Sequence, residues 1–229
     1  MKPTCEPPRP RGPKTQKIDP AQILGAAQAL FSREGVQGAS VRAIAREAGC
    51  DASLIYYHFE NKEAIFTALL ARKFPLLQQE LERIADSTDG RHTAQRLWDV
   101  LQTYHTHLVD DAGFRATVRG EIVRGAEGIQ DLLTQRITPV LQALSNLIEQ
   151  GIQRGHIRPG VPPMLLVFFL VRLEFEILDL IPIMAQRLGA LPGEDALPLA
   201  ERCWFEVFWR GIAAHPEEPL PFQPQGVSA

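Results

Sequence analysis

The sequence of 229 residues predicts an all-α fold. Apolar residues recur at helical spacing along most of the chain, as they do on the buried face of a helix. Residues that favour helix starts and stops separate these periodic segments. No stretch alternates apolar and polar side chains convincingly over the length of a strand, so no sheet is expected.

The first predicted helix begins at Pro20. Asp19 is a good N-terminal cap, and proline tolerates the first helical position because its missing N–H would have no helical partner. Gly35 is expected to end this helix. The preceding residues, 1–17, are rich in Pro, Lys and Arg without apolar periodicity, which predicts a disordered basic arm.

Two short helices joined by a glycine turn are predicted next. Ser40 can cap the first helix, and Gly49 stops it because glycine adopts a left-handed turn without steric cost. Asp51 can cap the second helix, which extends to about Tyr57. Two helices that meet steeply in a helix-turn-helix need a small contact residue and an apolar inner face. The inner-face candidates are Ile44, Ala45, Cys50 and Ile55.

The later helices have weaker boundary signals. Asn61 can cap a fourth helix, and Pro75 must either kink it or start the next one. Pro139 and Pro182 are expected to kink or split two further helices. The candidate helices are Pro75–Ala85, Thr93–Val109, Phe114–Arg124, Gly128–Arg154, Pro163–Leu188 and Leu197–Ala214.

Charge is unevenly divided along the chain, although the net charge is only −3. Residues 1–73 contain 11 Lys and Arg against 7 Asp and Glu, whereas the remainder contains 13 against 20. Such asymmetry indicates two tasks on one chain. The three cysteines are far apart, so neither a disulfide framework nor a zinc site is expected. Together with the absence of a secretory signal, this predicts a cytoplasmic protein.

No association with a membrane is expected. The longest charge-free apolar run is Pro162–Val171. It is shorter than the roughly 20 apolar residues that a membrane-spanning helix needs, and Arg172 follows it directly.

The most informative segment is 40–66. It reads SVRAIAREAG, then CDASLIYYHF, then ENKEAIF. This segment resembles the TetR family of bacterial transcriptional regulators, above all in Ile55-Tyr-Tyr-His-Phe59 and the Lys62 and Glu63 that follow. The resemblance is close over roughly residues 20–68. The rest of the chain is similar to the family only in helical content and length.

The resemblance implies a homodimeric, sequence-specific regulator of transcription. Such proteins bind a palindromic operator in double-stranded DNA, and the form expected here is a repressor that an unknown small ligand releases. The implied division is a basic arm (1–17), a three-helix helix-turn-helix DNA-binding domain (18–66), a larger helical ligand-binding and dimerisation domain (67–215) and a flexible tail (216–229). The positions that match base-edge contacts are Arg42, Ala52, Ser53 and Leu54. The positions that match phosphate contacts are Ser40, Tyr56, Tyr57, His58 and Lys62.

The chemistry of these residues suits the implied contacts. Arg42 can donate two hydrogen bonds to guanine, and Ala52 and Leu54 can contact thymine methyl groups. Many family members have glycine in place of Ser53 and polar residues beside it, so this recognition helix has few hydrogen-bonding groups. His58 can instead be structural and Lys62 an ordinary solvated lysine.

Three features each keep more than one interpretation. The basic arm can enter the adjacent minor groove or remain a solvated tail. Cys50, in the turn, can act as a redox switch or as a small apolar residue. In the helix Pro163–Leu188, Arg172 and Glu176 lie one turn apart and can orient a ligand, or form an ion pair at a dimer seam or a solvated edge.

Trp98 and Tyr104 complete the ligand-binding candidates with Arg172 and Glu176, although core packing is the alternative for both aromatic residues. His105 and His107 face different sides of one helix, so no metal site is predicted there. No cofactor is expected. The last helix is apolar nearly all round, and the resemblance places the last two helices in a four-helix dimer bundle.

No enzymatic activity is expected, because no GxSxG, HExxH, P-loop or dinucleotide fingerprint is present. The alternative function is a DNA-binding scaffold or regulator without a small-molecule ligand. A closed apolar cavity among the later helices would favour the ligand-controlled regulator over this alternative.

Overall fold

The computed structural model describes residues 18–86, 89–109, 111–123, 130, 133–188 and 196–220. Over these residues the protein forms nine α-helices and two π-helical segments without any β-strand, which confirms the predicted all-α class. The helices are α1 (Pro20–Gly38), α2 (Val41–Ala48), α3 (Ala52–His58), α4 (Lys62–Asp86), α5 (Thr93–Leu108), α6 (Ala112–Val123), α7 (Thr138–Gln153), α8 (Pro163–Ile183) and α9 (Ala196–Ile212). No described helix is long and apolar enough to cross a membrane.

Helices α1 to α3 and the start of α4 enclose a small apolar core. Ile23, Ile44 and Ile55 are completely buried within it. Phe31 on α1 and Phe66 on α4 meet edge to face with ring centroids 5.9 Å apart, an arrangement that aromatic pairs favour. This core holds the two short helices at a fixed position on the longer ones.

Gly35 interrupts α1 as expected, since its φ of +72° lies in the left-handed region. One further turn follows it, so the helix ends at Gly38 rather than at Gly35.

Helix α4 is continuous through Pro75, so the expectation of a separate helix over Pro75–Ala85 was wrong. The apolar stripe of α4 is buried on both sides of the proline, at Leu69 and Leu70 before it and at Leu77 and Leu81 after it. Burial of this stripe outweighs the cost of an internal proline, which is about 3 kcal/mol.

The other two prolines lie beside π-helical segments. Helix α7 begins only at Thr138, after the π-helical segment Leu133–Ile137, and Pro139 occupies its first turn. Helix α8 ends one residue after Pro182 and continues as the π-helical segment Met184–Leu188. Both predicted helices are therefore split at their prolines. The predicted basic arm and the chain around Gly128 lie outside the described residues.

Two buried arginines connect the helices of the larger part of the molecule. Arg96 on α5 donates to the carbonyl oxygens of Ile84 and Ala85 at the end of α4. Arg115 on α6 donates to the carbonyl of Val109, after α5, and to the carboxylate of Asp179 on α8. A buried charge is costly unless it is paired in this way.

Candidate DNA-binding surface and ligand cavity

The turn between α2 and α3 has the geometry that the sequence predicts. The Ser40 hydroxyl accepts a hydrogen bond of 3.1 Å from the Ala43 N–H at the start of α2. Gly49 ends α2 with φ +68°, a conformation that strains any residue with a Cβ. Ile44 and Ala45 are buried beneath the turn, so both helices are anchored on the core.

Asp51 caps α3, the candidate recognition helix. Its carboxylate accepts hydrogen bonds from the backbone N–H and the hydroxyl of Ser53, at 3.0 and 3.1 Å. The bond from the backbone N–H of Ser53, followed by the bond from its hydroxyl, lowers the pKa of Asp51. The cap therefore contributes to stability above the ordinary aspartate pKa and is lost as the pH falls through the lowered value.

The outer surface of this motif exposes most of the predicted DNA contacts. Tyr57 is 81% exposed and Tyr56 is 58% exposed, which is a large exposure for aromatic side chains. Arg42 and Ser53 are also exposed. The remaining predicted contacts on α3 are half-buried: Ala52, Leu54 and His58.

His58 and Phe59 lie against each other at the end of α3, with ring centroids 6.4 Å apart. The His58 ring also meets Tyr57 edge to face at 5.0 Å. The half-buried His58 ring thus packs against the exposed Tyr57 ring.

Lys62 has a structural role that the sequence did not reveal. Its ammonium donates to the carbonyl oxygens of Gln37 and Ala39, at 3.1 and 3.4 Å, and to the side chain of Gln37. These acceptors lie in the last turn of α1 and directly after it, so Lys62 connects the end of α1 to the start of α4. A phosphate contact by this lysine requires the ammonium to share or leave these acceptors.

Cys50 is half-buried in the turn as a free thiol. Burial, and to a smaller extent the neighbouring Asp51, raises the pKa of its thiol. Because the thiolate is the reactive form, this environment favours the apolar role over a redox switch.

A cavity of about 300 Å³ lies among the helices of the larger part. Its lining is mostly apolar, and α4, α5, α6, α7 and α8 all contribute to it. The principal apolar residues are Phe74, Leu77, Leu81, Val118, Val140, Leu141, Phe168, Val171 and Phe175. A volume of this size is at the lower end of those that bind small molecules.

Four polar side chains line the same cavity, namely Gln78, Tyr104, Arg119 and Arg172. Arg119 forms an ion pair with Asp179, yet its Nε–H is buried without a hydrogen-bond partner among the described residues. The Gln78 Oε1 atom is also buried, and it too has no hydrogen-bond partner among the described residues. Unsatisfied polar groups beside an apolar cavity are available to a ligand.

The four predicted ligand-binding residues separate into two pairs. Tyr104 and Arg172 line the cavity. Trp98 does not; it is buried against Phe205 of α9, with ring centroids 5.2 Å apart. Glu176 also lies outside the lining and forms an ion pair with Arg172 at 2.7 Å. Sequence reasoning missed Arg119 and Gln78, because nothing local distinguishes them from solvated polar residues.

Helix α4 connects the motif to the cavity. Its first half buries Ile65 and Phe66 in the core of the helix-turn-helix. Its second half contributes Phe74, Leu77 and Gln78 to the cavity wall. A shift of α4 therefore changes both regions together.

Helices α8 and α9 carry an exposed apolar face. Seven of its large apolar side chains are on α8 and one is on α9: Met164, Leu165, Phe168, Phe169, Leu173, Leu180, Ile183 and Val207. Monomeric soluble proteins rarely expose so many neighbouring apolar side chains.

The fold is that of a helix-turn-helix motif followed by a larger helical part. Residues 23–69 match the family described as "Bacterial regulatory proteins, tetR family". The matched segment runs from α1 to the first half of α4 and so contains the whole helix-turn-helix.

Three comparisons show how far the similarity extends. The transcriptional regulator UidR of Escherichia coli strain K12 is 24% identical over 140 residues, which cover 61% of this chain and 69% of UidR. The nicotine-responsive transcriptional repressor HdnoR of Paenarthrobacter nicotinovorans is 34% identical over 80 residues, covering 34% of this chain and 41% of HdnoR. The structure of Bacillus subtilis FadR with stearoyl-CoA has a TM-score of 0.65 and 21% identity, covering 84% of this chain and 98% of FadR.

Proposed function

We propose that this protein is a homodimeric transcriptional repressor that binds a palindromic operator and is released by a small apolar ligand. In this proposal residues 18–66 form the DNA-binding domain and residues 67–215 the ligand-binding and dimerisation domain. The observation that carries it is the continuity of α4, which runs from the core of the motif into the cavity wall. Ligand binding would favour a position of α4 in which the two recognition helices no longer fit successive major grooves, about 34 Å apart.

The proposed DNA contacts are of two kinds. Arg42, with Ala52, Ser53 and Leu54, would meet base edges in the major groove, where arginine reads guanine and methyl contacts read thymine. Tyr56, Tyr57, His58, Ser40 and Lys62 would contact phosphates, which sets the register without reading the sequence. The exposure of Arg42 and both tyrosines supports this assignment.

The proposed dimer would bury the exposed apolar face of α8 and α9. Two copies of this face, related by a two-fold axis, would form a self-complementary interface. A palindromic operator would then match the symmetry of the protein.

The proposed ligand is an apolar molecule with one polar or anionic group. Its body would contact the apolar lining, and its polar group would accept a hydrogen bond from the Nε–H of Arg119 or donate to Gln78. Regulators similar to this chain include one described as nicotine-responsive and one bound to stearoyl-CoA, which supports a ligand-controlled function without naming the ligand.

Selection of bound duplexes from a random DNA pool tests the DNA-binding half of the proposal. We expect an enriched palindrome, because a symmetric dimer requires matched half-sites. Arg42→Ala should weaken binding to that operator, whereas Arg33→Ala, an exposed arginine elsewhere on the same domain, should not. Binding without any enriched motif would instead favour the DNA-binding scaffold.

Binding of the fluorescent probe 1-anilinonaphthalene-8-sulfonate, an apolar anion, tests the ligand half. We expect saturable binding with one probe per chain, and weaker operator binding when the probe is present. Leu141→Trp would fill part of the cavity and should abolish the probe signal, whereas Leu76→Trp on the outside of α4 should not. Equal signals from the two variants would mean that the probe binds elsewhere.

A further inference from the structure

A second cluster of chemically active side chains lies outside the cavity lining. It joins His105 on α5, Glu174 on α8 and Glu201 on α9. One ligand atom from each residue lies within 4.8 Å of the others. The two glutamates are essentially buried, at 0% and 3% exposed. Buried carboxylates are uncommon unless they are paired or bind a metal.

The two carboxylates of this cluster differ in their hydrogen-bond partners. The Glu201 carboxylate contacts Nδ1 of His105 directly. Glu174 is different, because neither of its carboxylate oxygens has a hydrogen-bond partner among the described residues. A fully buried carboxyl group without a partner is costly, and this one is directed at the other two side chains.

The Glu174 carboxylate adjoins a second buried polar group on α9. The indole of Trp204 lies beside it, and the buried Nε1–H of this indole also lacks a hydrogen-bond partner within the described part of the chain.

We propose that His105, Glu174 and Glu201 form a binding site for a divalent transition-metal ion of the zinc type. One imidazole nitrogen and two carboxylate oxygens are donors that Zn²⁺ accepts, and three protein ligands leave a fourth position for water. The ion would neutralise both carboxylates. Trp204 would donate to a ligating carboxylate, as outer-shell groups commonly do at metal sites.

The proposed site is accessible from solvent and lies where three helices meet. The His105 side chain is 26% exposed, so an ion can reach the cluster from solvent. The three ligands come from α5, α8 and α9, so the ion would cross-link the two helices of the exposed apolar face to the interior of the domain. The sequence predicted no metal site, because two of the three ligands lie about 70 and 96 positions away from His105 along the chain and only the fold brings them together.

Zinc titration of the chelator-treated full-length protein tests the proposal without DNA or an inducing ligand. We expect one Zn²⁺ per chain. Glu174→Gln, which keeps the shape and removes the charge, should reduce the affinity by at least about 100-fold, since even outer-shell partners contribute roughly 10- to 100-fold. Glu206→Gln on the surface of α9 is the matched control and should bind Zn²⁺ like the wild type.

A second pair of variants distinguishes the loss of a zinc ligand from a folding defect. His105→Gln should also lose the zinc, whereas His107→Gln, two positions along the same helix, should retain it. Thermal unfolding should show a zinc-dependent rise in midpoint for the wild type and neither ligand variant. No stoichiometric zinc in the wild type, or equal affinity in Glu174→Gln and Glu206→Gln, would overturn the proposal.

Discussion

Single side chains hold the short helices of the motif in position. Ser40 and Asp51 each accept a hydrogen bond from a backbone N–H in the first turn of the following helix. Such caps matter most for short helices, because a helix of seven or eight residues gains little from its own hydrogen bonds. The position of the recognition surface thus depends on a few polar atoms outside the apolar core.

Removal of the Ser40 cap should destabilise the protein modestly. We expect Ser40→Ala to lower the free energy of unfolding by about 1 kcal/mol, since it leaves the Ala43 N–H without its side-chain acceptor. Ser40→Asp retains an acceptor and should remain within a few tenths of a kcal/mol of the wild type. Urea denaturation of the three proteins measures the difference. Equal stability of Ser40→Ala and the wild type would contradict the capping role.

Arg115 should be far more important for stability than another ion-paired arginine nearby. Arg115→Met leaves buried carbonyl groups and Asp179 without this donor, and loss of one partner from a buried pair costs roughly 3–5 kcal/mol. Arg172→Met removes an exposed pair with Glu176 and should cost about 1 kcal/mol or less. Denaturant unfolding of both variants tests the contrast, and similar losses would argue against it.

The individual helices show how packing overrides local preference. Pro75 lies inside α4 and its side chain is exposed, so the proline contributes little to the core. The helix continues past it because the same face is buried on both sides. The proline leaves one helical hydrogen bond unmade, at the boundary between the motif and the cavity wall.

Replacement of this proline should stabilise α4. We expect Pro75→Ala to raise the free energy of unfolding by about 1–3 kcal/mol, because alanine restores the hydrogen bond and removes the clash with the preceding turn. Gln79→Ala, at an exposed position one turn further along α4, should change stability by no more than about 0.5 kcal/mol. Thermal and urea unfolding measure both effects; a loss of stability in Pro75→Ala would show that the proline itself stabilises α4.

Two helix glycines should respond in opposite directions to the same substitution. A Cβ at Gly151 of α7 would lie 2.8 Å from side-chain atoms of Thr93 and Ile157, whereas a Cβ at Gly25 of α1 would meet nothing within 4 Å. We expect Gly151→Ala to destabilise by about 1–3 kcal/mol through overpacking. Gly25→Ala should stabilise by up to about 1 kcal/mol through helix propensity. Paired unfolding curves test the difference in sign.

The molecule as a whole combines a small motif with a larger helical part that contains the cavity. The two are joined by α4 and by contacts of α1 with α6. A structural change at the cavity can therefore affect the motif through α4 or through α6 and α1.

The apolar face of α8 and α9 belongs to neither of these connections and remains exposed in a single chain. A second copy of the chain is the partner that we propose for it.

A charge on this face should therefore separate the dimer. We expect Phe169→Glu on α8 to sediment as a monomer at micromolar concentration and to lose high-affinity binding to a palindromic operator, because a carboxylate would be buried in an apolar interface. Leu76→Glu changes an apolar residue of comparable exposure on α4 and should remain dimeric. If Phe169→Glu remains dimeric, the interface lies elsewhere.

Local sequence signals determined the helix-turn-helix. Ser40, Gly49 and Asp51 act within a few residues of their own positions, and each has the predicted cap or turn geometry. The buried positions Ile44, Ala45 and Ile55 follow directly from helical periodicity. Such short-range rules need no knowledge of the remaining chain, so the sequence alone was sufficient for the fold class and for this motif.

The cavity and the buried acidic cluster were decided only by the tertiary structure. Periodicity shows that a helix has an apolar face, but not which neighbour covers each part of it; for this reason Trp98 faces α9 while Tyr104 reaches the cavity. His105, Glu174 and Glu201 come from three helices that are distant in sequence. Their proximity depends on how the helices pack. The hydrophobic effect favours burial of any apolar surface and has no preferred direction, so a helix's own sequence does not specify which other helix covers it.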